Sequence, residues 1–356
     1  MSEDPRTGPG RQTASAATGR LSMLAVCATA HLGGAEAAMV RLMARLDWDM
    51  LLCTPEPGPL DKAGFPSARL PVGGLGRGEG ARAVGAWPRA RYLARRRDVV
   101  YLNGTICGRL LPALVGKRTV LHVHDIVDRV PAIWRLADVV LAASQAVADH
   151  LGRLDAKVVY CPIDLDPADC EPPWPSGPGP IVAFLGRIEP RKGPLDLIRA
   201  APAIKAGAPD ARVVLIGSDP FGGDPGYVAA VRAAGEVEHY GWVEDGAALM
   251  RHVDVLVAPS YQEPFGTVLS EAMAVGTPVV ATRVGGLAEV VEDGVNGRLV
   301  DPGRPDQLAA AVLDVLARRE TMGAAARIAA GRFDADLYAR RVERLIAPPG
   351  RSSGGA

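Results

Sequence analysis

Short apolar runs rich in valine and leucine recur along this chain, and a segment of helical character separates most of them. A first series lies at 22–28, 48–53, 98–102, 119–123, 138–142 and 157–161. A second lies at 181–186, 212–217, 236–241, 254–260, 278–282 and 298–300. Several of them, such as "DVVYL" and "TVLHV", are nearly continuous rather than alternating. A strand buried on one face alternates in polarity; a strand buried on both faces does not. Such strands, interleaved with helices, form a parallel sheet covered on both sides. At 356 residues the chain holds two domains of this kind. The stretch "EPPWPSGPGP" (171–180) separates the series, and its five prolines remove backbone donors, so it reads as a linker. The expected organisation is a disordered tail over 1–19, an N-terminal Rossmann-like domain over 20–170, the linker, a C-terminal Rossmann-like domain over 181–332, a last helical segment over 333–347 and a second disordered tail over 348–356. Two such domains face each other across a cleft. Open α/β sheets bind ligands beyond the carboxyl ends of their strands. The informative residues should therefore follow strands.

Composition removes several function classes. Lys plus Arg and Asp plus Glu are equal at 40 each, so no basic excess points to nucleic acid. The five cysteines (Cys27, Cys53, Cys107, Cys161, Cys170) are scattered and contain no CxxC pair. That usage fits reduced thiols in a cytoplasmic protein and neither a disulfide framework nor a zinc site. No apolar run is long enough to span a bilayer. Residues 20–30, "RLSMLAVCATA", imitate a short secretion signal, but a glycine turn and a helical pattern follow at once, so a first buried strand is the better reading.

Two segments after strands carry chemistry. The first is "GRIEPRKGPLDLIRA", from Gly186. Arg187 and Lys192 lie in its loop, and Gly193-Pro194 opens a helix. Two cations beside a helix N-terminus suit a phosphate or diphosphate. The second is "PSYQEPFGTVLSEAMAVG" (259–276), with Glu263 in the loop and Glu271 inside the following helix. Thr267 is the expected N-cap and Gly276 the expected stop. Carboxylates accept hydrogen bonds from sugar hydroxyls, and the free N–H groups near Phe265, Gly266 and Thr267 donate to hydroxyl or phosphate oxygens. Taken singly, each glutamate reads more readily as an ordinary helix or loop charge than as a site residue, and the two cations read equally well as a solvated basic loop. "DWD" at 47–49 imitates a metal-binding motif, but it joins a helix end to a strand start, the wrong end for a ligand site. His31, His150, His239 and His252 have no metal-like spacing. "GGLGRGEG" (73–80) reads as a flexible loop, and "WPRARYLARRRD" (87–98) as a solvated basic helix face rather than a membrane contact.

Taken together, "GRIEPRKG" and, about seventy residues later, "EPFGTVLSEAMAVGTPVVATRVGGLAEVVEDGVNGRLV" resemble the retaining GT-B glycosyltransferases of family 4. The E-x7-E motif of that family matches Glu263 and Glu271, and its cationic clamp matches Arg187 and Lys192. The N-terminal half resembles it more weakly, through "GGAE" at 33–36, "HVHD" at 122–125, "ADVVLAASQAV" and "VVYCPIDLD". Where the family often has Asn-Gly before the aspartate, Pro162-Ile163 precede Asp164.

The resemblance implies a GT-B fold and a nucleoside-diphosphate sugar donor such as a UDP-, GDP- or dTDP-sugar. It implies no cofactor, no metal and a hydroxyl acceptor. Glu271 would hold ribose hydroxyls, and Arg187 and Lys192 the departing diphosphate. Glu263 would hold donor-sugar hydroxyls, with backbone donors from Phe265, Gly266 and Thr267. Gly33 and Gly34 would let the N-terminal loop approach the diphosphate. His124 would contact the donor sugar from the opposite domain, and Val243 would meet the base. The last helix would cross back to the N-terminal domain. Peripheral membrane contact occurs in some relatives. A sugar-nucleotide-binding protein, or a GT-B-type epimerase, is the alternative; formation of a new glycoside separates these readings.

Overall fold

The computed structural model describes residues 20–74, 76, 78–219, 223–243 and 245–350. The tails expected to be disordered fall, apart from residues 348–350, outside the described residues. Seven parallel strands form the first sheet: β1 (Ser22–Cys27), β2 (Asp49–Thr54), β3 (Ser67–Arg69), β4 (Val99–Asn103), β5 (Arg118–Val123), β6 (Val139–Ala142) and β7 (Ala156–Val158), in the order β3-β2-β1-β4-β5-β6-β7. Six more form the second: β8 (Ile181–Leu185), β9 (Arg212–Ile216), β10 (Glu238–Tyr240), β11 (Val255–Ala258), β12 (Val279–Thr282) and β13 (Gly297–Val300), in the order β10-β9-β8-β11-β12-β13. Every strand pair is parallel. All residues of β1, β4, β11 and β12 are buried, as their near-continuous apolar sequences require.

The helices are α1 (Gly34–Arg45), α2 (Glu79–Ala94), α3 (Gln145–His150), α4 (Pro194–Gly207), α5 (Pro225–Arg232), α6 (Gly246–Leu249), α7 (Thr267–Ala274), α8 (Leu287–Val290), α9 (Pro305–Ala317), α10 (Arg319–Ala330) and α11 (Ala335–Ile346). No helix among the described residues is long and apolar enough to cross a membrane.

Both sheets are doubly wound, and each has one place where the strand order reverses. In the first sheet it lies between β1 and β4; in the second, between β8 and β11. Loops leaving the carboxyl ends of such a pair diverge and open a crevice. The loops after β1, β8 and β11 are those that carry Gly33-Gly34, Arg187-Lys192 and Glu263-Phe265-Gly266. Sheet topology alone thus puts the candidate residues at the two crevices.

The end of the chain returns to the first domain. Asp334 caps α11, its side chain accepting from the N–H groups of Asp336 and Leu337 at 3.0 and 2.8 Å. Tyr338, Ala339, Val342 and Ile346 make one apolar face, and it packs in the core under β1 and β4. Arg118 closes the other end, donating to the carbonyls of Ile346 and Leu345 at 2.7 and 3.1 Å.

Some local expectations fail for identifiable reasons. Strand β3 has the sequence SAR and no apolar run; it is a short edge strand held by pairing with β2. Segments 157–161 and 236–241 yield only three-residue edge strands, β7 beginning one residue before its run and β10 lying in the middle of its own. The segment 73–80 is not all loop. Gly78, at φ 85, precedes α2, which takes up Glu79 and Gly80; Leu75 and Arg77 lie outside the described residues. The basic face over 87–98 is, as expected, solvent-exposed at Arg89, Arg91, Arg95 and Arg96, and its two ends are engaged. Trp87 is half-buried and donates to the carbonyl of Arg109 at 3.1 Å, and Arg97 pairs with Asp49 at 2.8 Å.

Candidate functional site

The C-terminal wall of the cleft is built by α4 and α7. Helix α4 starts at Pro194, directly after the loop holding Arg187 and Lys192. Helix α7 starts at Thr267, and its cap is Gly266, not Thr267 as the sequence suggests. The tight Pro264-Phe265-Gly266 turn enters the helix at φ 100, in the left-handed region that glycine adopts without strain. Thr267 is thereby moved inside the first turn. Phe265 is buried and stacks near Tyr160 and Phe333, with ring centroids 5.7 and 5.3 Å apart, which anchors the turn.

The turn also has a floor. Gly286 donates its N–H to the carbonyl of Glu263 at 3.0 Å. A Cβ placed on Gly286 would lie 2.4 Å from both the Phe265 Cα and the Pro264 carbonyl oxygen. The "RVGGL" stretch thus has its glycine because another backbone lies against it. Gly286→Ala is expected to cost about 1–3 kcal/mol of stability, as overpacking does. It should also displace Glu263. Urea unfolding measures the first effect, and affinity for a nucleotide sugar relative to the bare nucleotide the second.

Lys192 and Glu263 meet in an ion pair across the two loops, with side chains 19% and 12% exposed. Arg187 lies beside Glu189, at 3.2 Å. Asp125 stands at the cleft wall within electrostatic range of Arg191, Arg187 and Glu263. Glu271, on α7, accepts from Arg41 of α1 at 3.2 Å. Burial pushes Glu271 above the usual carboxylate range, with Asp164 adding and Arg41 opposing.

The N-terminal wall is α1 and the ends of β4 and β5. A Cβ on Gly34 would lie 3.7 Å from Thr267 Oγ1. The N-termini of α1 and α7, one from each domain, therefore converge on one point. Each presents unsatisfied N–H groups and the positive end of a helix dipole. Gly33 precedes α1 in extended backbone and is exposed, as is Gly34.

His124 is buried, with 8% exposure. The Asn103 amide donates to the Ala35 carbonyl at 3.2 Å, so its oxygen faces His124 Nε2 at 2.9 Å and accepts from it. Burial pushes His124 down to about 4, and pushes His122 well below its ordinary value, with His124 adding. Both rings are neutral at pH 7. The unfolded chain takes up these protons near pH 6.5. Stability is therefore full above about pH 6.5 and declines as pH falls toward the folded value. For His124 that loss is about 3 kcal/mol by pH 4. Urea unfolding at pH 7 and pH 5 should give a smaller stability difference for His124→Gln than for the parent; equal differences would contradict this account.

Val243, assigned to the base by resemblance, is half-buried against the C-terminal core, and Trp242 beside it is 57% exposed. Asp47 and Asp49 of the discounted "DWD" pair with Arg20 and Arg97, at the amino end of β2. Among the described residues, no group of three or more His, Cys, Asp or Glu is placed to hold a metal ion.

Several contacts across the cleft have no sequence motif. Ser144 donates to the Pro264 carbonyl at 2.5 Å. Glu289 accepts from the N–H groups of Gln145 and Ala146 at 2.8 and 2.7 Å, so it caps α3 from the other domain. Within the N-terminal domain, Arg41 also reaches Asp164 at 2.9 Å and the Pro162 carbonyl at 3.0 Å. The aspartate after the atypical Pro162-Ile163 thus serves as an anchor for α1. A helix-period count puts Arg41 two turns from Gly34 and so on the same face, the one hint the sequence offers.

Comparison with known proteins bears on the fold and the family resemblance. Residues 179–318 match the family described as Glycosyl transferases group 1. The D-inositol 3-phosphate glycosyltransferase of Geodermatophilus obscurus is 39% identical over 183 residues, which is 47% of this chain and 39% of that protein. That of Segniliparus rotundus is 37% identical over 163 residues, 43% of this chain and 36% of that protein. The chain thus covers well under half the length of these curated relatives. Among solved structures, Anabaena Alr3699/HepE in complex with UDP-glucose superposes with a TM-score of 0.75 at 25% identity, covering 91% of this chain and 98% of the other. The fold is GT-B, and the resemblance to family 4 read from the motifs is upheld.

Proposed function

We propose that this chain is a retaining, metal-independent glycosyltransferase that moves a sugar from a nucleoside-diphosphate sugar to a hydroxyl acceptor. The observation that carries the proposal is the convergence of the α1 and α7 N-termini beside Arg187, Lys192 and Glu263. A departing nucleoside diphosphate develops negative charge. Two helix dipoles and two cations supply the compensating field without a metal, and preorganised electrostatics of this kind is usually the largest catalytic term. The donor bound by the Anabaena protein, UDP-glucose, is of the class the site suits.

In this reading each residue has a role. Arg187 and Lys192 hold the diphosphate. Glu263 keeps one oxygen on Lys192 and accepts from donor-sugar hydroxyls with its remaining lone pairs. Glu271 accepts from the ribose hydroxyls. Phe265, Gly266 and Thr267 add backbone donors, and Gly33 and Gly34 admit the diphosphate. His124, neutral and held by Asn103, borders the donor sugar from the other domain. Val243 lies toward the base. In the reaction the sugar C1–O bond to the diphosphate breaks while the acceptor oxygen bonds to C1 on the same face. The acceptor proton passes to the departing phosphate oxygen, so no protein nucleophile is needed.

Incubation with a panel of nucleotide sugars and hydroxyl acceptors in excess chelator tests this. A new glycoside with the anomeric configuration of the donor is expected. An inverted product would sink the retaining mechanism, and product formed only after metal is restored would sink metal independence. Donor binding with no glycoside from any acceptor would favour the binding-protein reading.

A further inference from the structure

Arg41 makes contacts that span both domains. Its three nitrogens reach Glu271 Oε1 at 3.2 Å, Asp164 Oδ2 at 2.9 Å and the Pro162 carbonyl at 3.0 Å. Asp164 turns its other oxygen to Arg45 at 2.8 Å, and Arg45 reaches Asp336 on α11 at 2.6 Å. The Arg41 and Glu271 side chains are 18% and 17% exposed, so water screens the pair weakly. We propose that Arg41 is a positioning residue of the donor site: it holds one oxygen of Glu271 so that the other faces the ribose hydroxyls, and it does so only while the two domains are closed on each other. This rests on the reading of Glu271 as the ribose carboxylate.

The physical reasons are three. A glutamate has three rotatable bonds, and a charged donor on Oε1 selects among its orientations. A carboxylate accepts at both oxygens, so the contact with Arg41 leaves Oε2 available to a diol. Burial favours the protonated form of Glu271, which accepts poorly from a hydroxyl; Arg41 opposes that drift, while Asp164 on the facing segment favours it. The domain coupling follows from where the two residues stand. Arg41 belongs to α1 and Glu271 to α7, so the completed ribose contact and domain closure must favour each other.

The test is calorimetric titration of the full chain with UDP, GDP and their 2′-deoxy and 3′-deoxy analogues. Arg41→Met is compared with Glu271→Gln and the parent, with circular dichroism checking each fold. Arg41→Lys stands in should the methionine variant not fold. The parent should prefer a ribose nucleotide over a deoxy analogue by about tenfold or more, the scale of a lost charge-assisted hydrogen bond. Arg41→Met should lose about the same factor for the ribose nucleotide, little for the analogue, and so most of the preference. A merely structural role would weaken all ligands alike. An unchanged preference in Arg41→Met, or tighter binding, would overturn the proposal while leaving Glu271 in its role. A parent without preference, matched by Glu271→Gln, would overturn the reading of Glu271 and this inference with it.

Discussion

Alanine at Arg187 or Lys192 is expected to lower sugar transfer about 100- to 1,000-fold, the usual cost of removing one preorganised charge-stabilising group. The two positions differ in what they leave behind. Arg187 lies in the exit loop of β8, 35% exposed and near Glu189, so its loss should change stability little. Lys192 is less exposed and paired with Glu263. Its removal leaves a part-buried carboxylate without that cation, and a stability loss of about 1–3 kcal/mol should accompany the lost turnover. Steady-state kinetics with a saturating acceptor, beside urea unfolding of each variant, separates the effects. Near-normal turnover in either variant would remove that residue from the diphosphate clamp.

Glu263→Ala should be the second severe lesion, for a different reason. The carboxylate serves Lys192 and, in the proposed reaction, the donor sugar. Its loss frees the ammonium to wander and removes the acceptor for the sugar hydroxyls. Turnover should fall about 100-fold or more, with a smaller loss in affinity for the nucleoside diphosphate alone, because that ligand has no sugar for Glu263 to hold. Glu263→Gln keeps acceptor capacity but not charge, and should fall between. Comparing UDP affinity with UDP-sugar turnover in the two variants checks the assignment. If UDP binding and turnover fell by equal factors, Glu263 would be acting on the diphosphate through Lys192 and not on the sugar.

How much of this was readable beforehand depends on the range of the interaction. The central strands were legible because burial on both faces leaves continuous runs such as "DVVYL". That Arg187, Lys192, Glu263 and Glu271 would gather at the cleft was legible because they follow β8 and β11 on either side of a strand-order reversal. Edge strands were poorly legible. Strand β3 is three polar or small residues, held by a neighbour and not by its own pattern. The cap of α7 is obscured in the sequence because Thr267 is a fair capping residue, while the turn geometry belongs to Gly266. The cross-domain contacts left almost no signal, the helical phase of Arg41 with Gly34 apart. Arg41 and Glu271 stand 230 residues apart, and Gln145 and Glu289 are 144 apart. Nothing local in a chain records which charges a folded cleft will bring together.

The measurement that bears most directly on the central claim is calorimetric binding of UDP, GDP, dTDP and ADP, with their common sugars, to the purified chain in chelator. The account predicts that at least one nucleotide binds without metal and that Arg187→Ala abolishes most of that binding. No binding by any of them, or binding that Arg187→Ala leaves untouched, would contradict a diphosphate site where the two helix N-termini meet.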